Sequence, residues 1–489
     1  MISRACRVLP VCFMTLLLTS CGQEDQPDRA AAAKRPPVLA DKSWPNVILI
    51  SIDALRPDHL HCYGYARETS PHIDRLAREG ALFENVISSS SWSLPAHACL
   101  FTGLADSVHG CLDSDQRLHA DHYTLAERLK DTGYGTAGFF SGPYLHPVFG
   151  LNQGFDDYID CISYPQSAGE PATTSPTTSA ADMTNPTTLR AVESWLTQNT
   201  HRPFFMFIHM WDVHFDYTPP PPYDTMFDPG YDGAITGRDF LRNPQINEEM
   251  PKRDLEHLIA LYDGEIAWTD AHVGKLLETL EKRELLDTSI IVLTAGHGTA
   301  FFEHGKKGHG NSLFDELIRI PLIIRYPRAI TAGARHDQQI RMIDLLPTVL
   351  DLLGIPPPEL MGQSLAPLFM GGTTQRDEPA ISELLTRKHK LRCFRRPDRK
   401  RIWHIAVNAG VVYDLQADPA ESTPLADRNA PVVKATKADA HWSGEFLKAF
   451  RQRHPQSPRL SELPATVLER LESLGYLGGE DFPMPGSTP

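Results

Sequence analysis

Asn46-Val-Ile-Leu-Ile-Ser-Ile-Asp53 decides how this chain is built. A β-branched and aliphatic run from Val47 to Ile52, closing on a carboxylate, reads as a strand buried on both faces, because a strand with one wet face would alternate. The pattern recurs outward from it. Thr136 to Phe140 precedes Ser141, and Phe204 to Ile208 precedes His209. Ile290 to Leu293 leads into Thr294 and His297, and Leu322 to Ile324 into Arg325. Helical spacing lies between these runs. Ser70-Pro71 is expected to cap a helix with Ile73, Leu76 and Ala77 on one face and Gly80 at its end. Leu189, Val192 and Leu196 mark another, and Leu258 to Leu280 a long one. Alternating strands and helices predict an α/β fold, a doubly wound mixed sheet flanked by helices, whose ligands sit at the carboxyl ends of the strands.

The chain has 489 residues, enough for one large domain and a smaller one. At 41% hydrophobic residues it is not a disordered polymer. Lys and Arg number 47 against 61 Asp and Glu, a net charge of −14 with no compensating basic block. That excludes a dedicated nucleic-acid binder, which needs clustered cations for phosphate. No apolar run past the N-terminus approaches about 18 residues, so a polytopic membrane protein is excluded too. At the start, Arg4 and Arg7 precede an apolar run from Val8 to Leu18, followed by Leu18-Thr-Ser-Cys21. This resembles a bacterial lipobox, which makes residues 1–20 a lipoprotein signal peptide and Cys21 a lipid anchor. Gly22, in place of an inner-membrane retention Asp, favours the outer membrane. An ordinary cleaved signal peptide is the alternative. The expected location is the periplasm or cell envelope.

Residues 21–44 read as a tether, 45–374 as a catalytic domain and 375–489 as a C-terminal subdomain with its tail. Residues 163–187, rich in Ser, Thr and Pro, read as an exposed loop. Ile402–Val407 and Val411–Tyr413 are expected strands, and Phe446–Phe450 belongs to a helix, so the subdomain is α+β. Cys62, Cys99, Cys111, Cys161 and Cys393 contain no CxxC pair and read as small core residues.

The chemistry-bearing residues follow the strands. Asp53 ends the first and suits a hard cation, or simply caps a turn. Ser93-Leu-Pro-Ala-His97 opens a short helix, placing the Ser93 hydroxyl near the positive end of its dipole. His209, Asp212 and His214 follow one strand, and His297, Glu303, His304 and His309 follow another. In a cleft, imidazoles serve as metal ligands or as general acids and bases.

The stretch Asn46 to Gly64 resembles the opening of the sulfatase family, within the alkaline-phosphatase-like superfamily. Ser93-Leu-Pro-Ala-His-Ala-Cys-Leu-Phe-Thr-Gly103 is similar to its nucleophile motif. Tyr262-Asp-Gly-Glu-Ile266, Glu303-His-Gly305 to Glu316, Ile343-Asp-Leu-Leu-Pro-Thr348 and Val412 to Glu421 extend the resemblance over residues 45–430. It implies that Asp53, Ser93 and His297 hold one divalent cation, calcium in most sulfatases. Ser93 is then the nucleophile, with His97 in its motif, and His214 or His309 protonates the departing alcohol. The implied substrate is a sulfated or phosphorylated small molecule or glycan.

Four positions depart from the family pattern. Ala54 and Gly296 replace carboxylates, His97 replaces the Arg of the motif that directs formylglycine formation, and His309 replaces a lysine. Three readings follow: a sulfate-ester hydrolase using Ser93 or its formylglycine derivative; a phosphodiesterase, phosphomonoesterase or phosphonate hydrolase using unmodified Ser93; and a non-catalytic anion binder.

Overall fold

The computed structural model describes residues 44–162, 183–356, 359–372, 378–461 and 463–473. The expected signal peptide, Cys21, nearly all of the tether and most of the Ser/Thr/Pro loop lie outside these residues. At the loop's expected end, a helix already begins at Asn185.

Among the described residues, ten strands build the main domain. They are β1 (Asn46–Ile52), β2 (Ala81–Ile87), β3 (Gly135–Phe140), β4 (Asp157–Asp160), β5 (Phe204–Met210), β6 (Ser289–Thr294), β7 (Ala300–Phe301), β8 (Lys307–Gly308), β9 (Arg319–Arg325) and β10 (Ala334–Arg341). Eight form one sheet in the order β10-β2-β9-β6-β1-β5-β3-β4, while β7 and β8 make a separate hairpin. β1 lies between β5 and β6, parallel to both, and every residue of the three strands is buried. This is why their sequences are continuous apolar runs. β9 runs antiparallel to β2 and β6, which makes the sheet mixed. β2 and β10 escape the apolar-run criterion for a physical reason. Glu84 and Asn85 interrupt β2 at an irregularity in its pairing, and β10 (Ala-Arg-His-Asp-Gln-Gln-Ile-Arg) is an edge strand with polar groups facing water.

The helix Pro71–Glu79 buries Ile73, Leu76 and Ala77 as its spacing predicts. Its cap differs from the expectation. The Ser70 hydroxyl donates to Asp74 instead of accepting from the helix, and the free N–H groups of His72 and Ile73 donate to Asp270, 2.7–3.1 Å away. Gly80 is required by space, since a Cβ there would stand 2.5 Å from the Ile324 carbonyl oxygen. The 31-residue helix Lys252–Lys282 that supplies Asp270 covers the sheet with Leu258, Val273, Leu276 and Leu280. Each such side chain contributes about 1.5–3 kcal/mol on burial. The same helix carries Tyr262, whose hydroxyl donates to the Ala54 carbonyl (2.8 Å) and accepts from Arg56 N–H (3.0 Å). That pair pins the turn after Asp53, where Ala54 takes the left-handed φ of +55°.

The C-terminal sheet is antiparallel, β11 (Ala380–Leu384), β12 (Leu391–Arg396), β13 (Arg399–His404) and β14 (Ala409–Asp414), in that order, with the helix Pro431–Arg451 beside it. The expected strand Ile402–Val407 stops at His404, and Ile405–Val407 is a 3₁₀ turn. The sheet docks on the main domain through Ser382 and Glu383, bonded to Ser88 and Ser89 backbone at 2.6–2.7 Å. Below it Lys400, fully buried, pairs with Asp315 at 2.8 Å and Glu421 at 2.7 Å. Lys400→Ala would leave the buried Glu421 without its cation while Asp315 keeps Arg395 at 2.7 Å, and calorimetry should register a loss of roughly 3–5 kcal/mol. The five described cysteines are free thiols.

Candidate active site

The carboxyl ends of β1, β5 and β6 meet at one place. Asp53 follows β1 and its N–H donates to the Met210 carbonyl at 2.9 Å, which locks it beside the end of β5. Ser51 pairs in register with His209 on one side and Thr294 on the other. His297 comes three residues after Thr294. Ser93 is the first residue of the helix Ser93–Thr102, all ten residues of which are buried. Its hydroxyl lies 3.3 Å from Asp53 Oδ2 and 3.1 Å from His297 Nε2, two acceptors that share its one proton. His297 Nε2 stands 3.2 Å from Asp53 Oδ1, and His209 Nε2 stands 3.5 Å from Asp53 Oδ2.

Backbone carbonyls set the imidazole tautomers. His297 Nδ1–H donates to Gly298 O (2.8 Å), leaving Nε2 to accept from Ser93. His214 Nδ1–H donates to Phe215 O (2.6 Å). His97 Nδ1–H donates to Ser93 O (2.7 Å) while its Nε2 accepts from Ser51 Oγ (3.0 Å). The His309 ring lies 4.9 Å from His214 and 4.4 Å from His297, and Trp211 stacks on His214 at 3.8 Å. The structure therefore gathers the residues that the family resemblance assigned to the site: Asp53, Ser93, His97, His214, His297 and His309.

Two residues join that had not been assigned to the site. His209 is brought in by its register opposite Ser51, and Ser51 by its bond to His97. Side-chain alternation along β1 is the signal that could have found Ser51, since it shares a face with Asp53. Other candidates are used elsewhere. Glu303 accepts from Arg56 and from Phe301 N–H. Asp212 accepts from Thr184, Asn185 N–H and Trp268. His304 pairs with Glu316 and stacks on Phe314.

Burial works against charge at Asp53, yet the His209 and His297 imidazoles beside it hold its carboxyl well below the usual range. Burial pushes His97 and His214 down to about 3, so both are neutral at physiological pH. Burial, and then the neighbouring His297 and His214, lowers His309 as well. His109, buried behind the Ser93 helix, is also pushed to about 3. In the unfolded chain these imidazoles bind protons near pH 6.5. Between about pH 6.5 and 3 the unfolded state thus binds more protons than the folded one, and stability falls as pH drops through that window. Melting temperatures taken from about pH 7.5 down to about pH 5 should decline steadily; a flat profile would contradict this account.

A side chain at position 296 would press on His97. A Cβ at 296 would lie 3.0 Å from His97 Cε1 and 3.5 Å from Nδ1. His97 occupies the space that a side chain at 296 would enter, and its two hydrogen bonds keep it there.

The cation expected from the resemblance can be tested against these donors. Asp53 Oδ1 and His209 Nε2 are buried and make no hydrogen bond within the described residues. The whole set, however, is one carboxylate, one hydroxyl and two imidazoles, whereas calcium takes six to eight oxygens. Among the described residues, no three His, Cys, Asp or Glu side chains are grouped to hold a metal ion. The residues present do not fit a calcium cage.

Comparison with known proteins identifies the family. The sulfatase family profile matches residues 45–355, and that of the C-terminal region of N-sulphoglucosamine sulphohydrolase matches residues 305–439. An N-acetylglucosamine-6-O-sulfatase of Bacteroides thetaiotaomicron is 25% identical, covering 86% of this chain and 89% of its own. A choline-sulfatase of Rhizobium meliloti is 27% identical over 83% of this chain and 88% of its own. Among solved structures, a protein in complex with its substrate D-glucosamine-2-N,6-O-disulfate superposes with a TM-score of 0.68 at 22% identity, covering 84% of this chain and 99% of that one. A phosphonate monoester hydrolase of Agrobacterium radiobacter gives 0.66 at 23%, covering 86% and 98%. With a profile match across most of the chain and the fold in agreement, the chain belongs to the sulfatase family of the alkaline-phosphatase-like superfamily.

Proposed function

We propose that this chain hydrolyses sulfate esters of sugars, with Ser93 as an unmodified nucleophile. One observation carries the reading: the Ser93 hydroxyl sits at a helix N-terminus, 3.1 Å from an imidazole nitrogen whose tautomer leaves it a bare acceptor. Ser93 Oγ attacks sulfur as its proton passes to His297 Nε2, and the bond from sulfur to the sugar oxygen breaks. His297 then gives that proton to the departing alkoxide. A water attacks the sulfur of the O-sulfoserine, loses its proton to His297, and the proton returns to Ser93 Oγ as sulfate leaves. His214, with Nδ1–H tied to a carbonyl and the ring neutral, has no proton to spare and suits orienting that water better than acting as the acid. His97 holds the first turn of the Ser93 helix against β1 and is a positioning residue.

Sulfatase-family proteins generally use a divalent metal. Asp53, Ser93 and His297 would be its ligands here, but for the reason of donor type no step above passes through it. Calcium is the ion this set supports least. The sugar class is supported by the relatives, an N-acetylglucosamine-6-O-sulfatase among them. A phosphonate or phosphate ester is the second reading. It is favoured by His97 standing where the formylglycine motif has Arg, because direct attack by a serine suits phosphorus. The Leu18–Cys21 stretch supports an envelope location for either activity.

The test is to offer the full chain 6-O-sulfated N-acetylglucosamine, an aryl sulfate and an aryl phosphonate monoester, and to quantify sulfate and alcohol released. Sulfate release supports the first reading. Release from the phosphonate alone transfers the assignment to the second. No release from any ester would overturn both.

A further inference from the structure

The chain does not stop at the helix Pro431–Arg451. It runs back across the main domain, held at each step. The Ser457 hydroxyl donates to His109 O (2.8 Å), Arg117 N–H to Pro458 O (3.2 Å) and Leu460 N–H to Asp115 O (2.6 Å). The Arg459 guanidinium pairs with Asp115. It then forms a last helix, Ala465–Ser473, anchored by Leu463, Val467 and Leu471, of which Leu471 is fully buried in the main core.

Two contacts fix where that helix lies. On one side it packs against the turn Pro143–Leu145, whose Tyr144 meets the Trp92 ring edge-on at 5.1 Å, directly before Ser93. On the other, Arg242 donates to the carbonyl of Glu472. Arg242 follows Leu241, whose side chain would meet a Cβ on Gly308, the neighbour of His309. The helix thus lies between two segments that lead on to Ser93 and to His309. Arg470 lies on it, partly buried beside Leu471. Its charge also disfavours protonation of His214, as a nearby cation should.

The inner site needs such a charge. An anionic ester must approach the Asp53 carboxylate, and the side chains gathered around Ser93 are imidazoles and a hydroxyl, His97, His214, His297, His309 and Ser51, rather than a fixed cation. We propose that Arg470, delivered by the C-terminal helix, is an anion-binding residue of the active site and holds the charged oxygens of the ester next to His214. Guanidinium is suited to this because it stays charged and offers a planar fork of donors to two oxygens at once. The inference rests on the hydrolase reading for the identity of the ester, but its test needs no turnover.

Calorimetric titration of the full chain with inorganic sulfate, and separately with inorganic phosphate, gives that test. Arg470→Gln should weaken binding by about 10- to 100-fold, the worth of charge-assisted hydrogen bonds. Arg470→Met keeps the aliphatic stem beside Leu471, removes the charge and should weaken binding equally. Ser93→Ala should bind the anions within about threefold of wild type while losing turnover. That separates failure of the two ideas: turnover surviving in Ser93→Ala sinks the nucleophile, not the anion site. Wild-type affinity in either Arg470 variant would overturn the proposal. So would tighter binding, which would make the helix a plug, or a wild type that binds neither anion.

Discussion

Ser93→Ala is expected to reduce ester turnover by roughly a thousandfold or more. The substitution removes one oxygen from a site in which no other hydroxyl faces both Asp53 and His297 at hydrogen-bond distance among the described residues. It also removes the oxygen assigned to accept the sulfo group. His297 keeps its bond to Gly298 O, so the imidazole stays oriented with nothing to deprotonate. Stability should change little. Ala suits the first turn of a helix, and the hydroxyl bonds only to side chains. Initial rates on one ester, beside a melting curve, check both halves. Activity within about tenfold of wild type would remove Ser93 from the mechanism. Peptide mass measurement should find residue 93 as serine, since His97 stands where the modifying motif has Arg.

Gly296→Asp is expected to cost stability and to gain no calcium. A carboxylate at 296 restores the family pattern on paper, but its Cβ enters 3.0 Å from His97 Cε1. His97 cannot swing aside without breaking bonds of 2.7 Å to Ser93 O and 3.0 Å to Ser51 Oγ. Overpacking of this kind costs about 1–3 kcal/mol, and the displaced imidazole would drag the first turn of the Ser93 helix with it. In Gly296→Asp/His97→Ser the smaller side chain frees the volume. Two carboxylates and two hydroxyls then face one point, a set far closer to what calcium takes. After dialysis against calcium, elemental mass spectrometry should find roughly one ion per chain in the double variant, and far less in wild type and the single variant. Equal loading of the single and double variants would show that His97 is not the obstacle.

Much of this was legible before any coordinates. Val47–Ile52, Phe204–Ile208 and Ile290–Leu293 announced buried parallel strands because burial on both faces leaves no polar alternation. The polar residues that follow them marked the site, because ligands gather at carboxyl ends. Other features were not legible, each for a reason of distance. Ser70 looked like a cap, but the groups it would satisfy are taken by Asp270, two hundred residues away. Glu303 looked available to the site, but Arg56 holds it. β10 gave no apolar run because its polarity is that of an edge strand. Arg470 carried no signal at all, since its role depends on where a helix at the far end of the chain comes to rest.

The sequence by itself thus determined the elements, their order and the residue types at the strand ends. Those depend on hydrophobic period, backbone propensity and glycine or proline punctuation, all set within a few residues. Only the tertiary structure decided that His209 lies against Asp53, that backbone carbonyls choose the tautomers of His97, His214 and His297, and that His97 occupies the room left by Gly296. These are contacts between segments that meet only after the sheet has formed, and no local pattern encodes a distance between them.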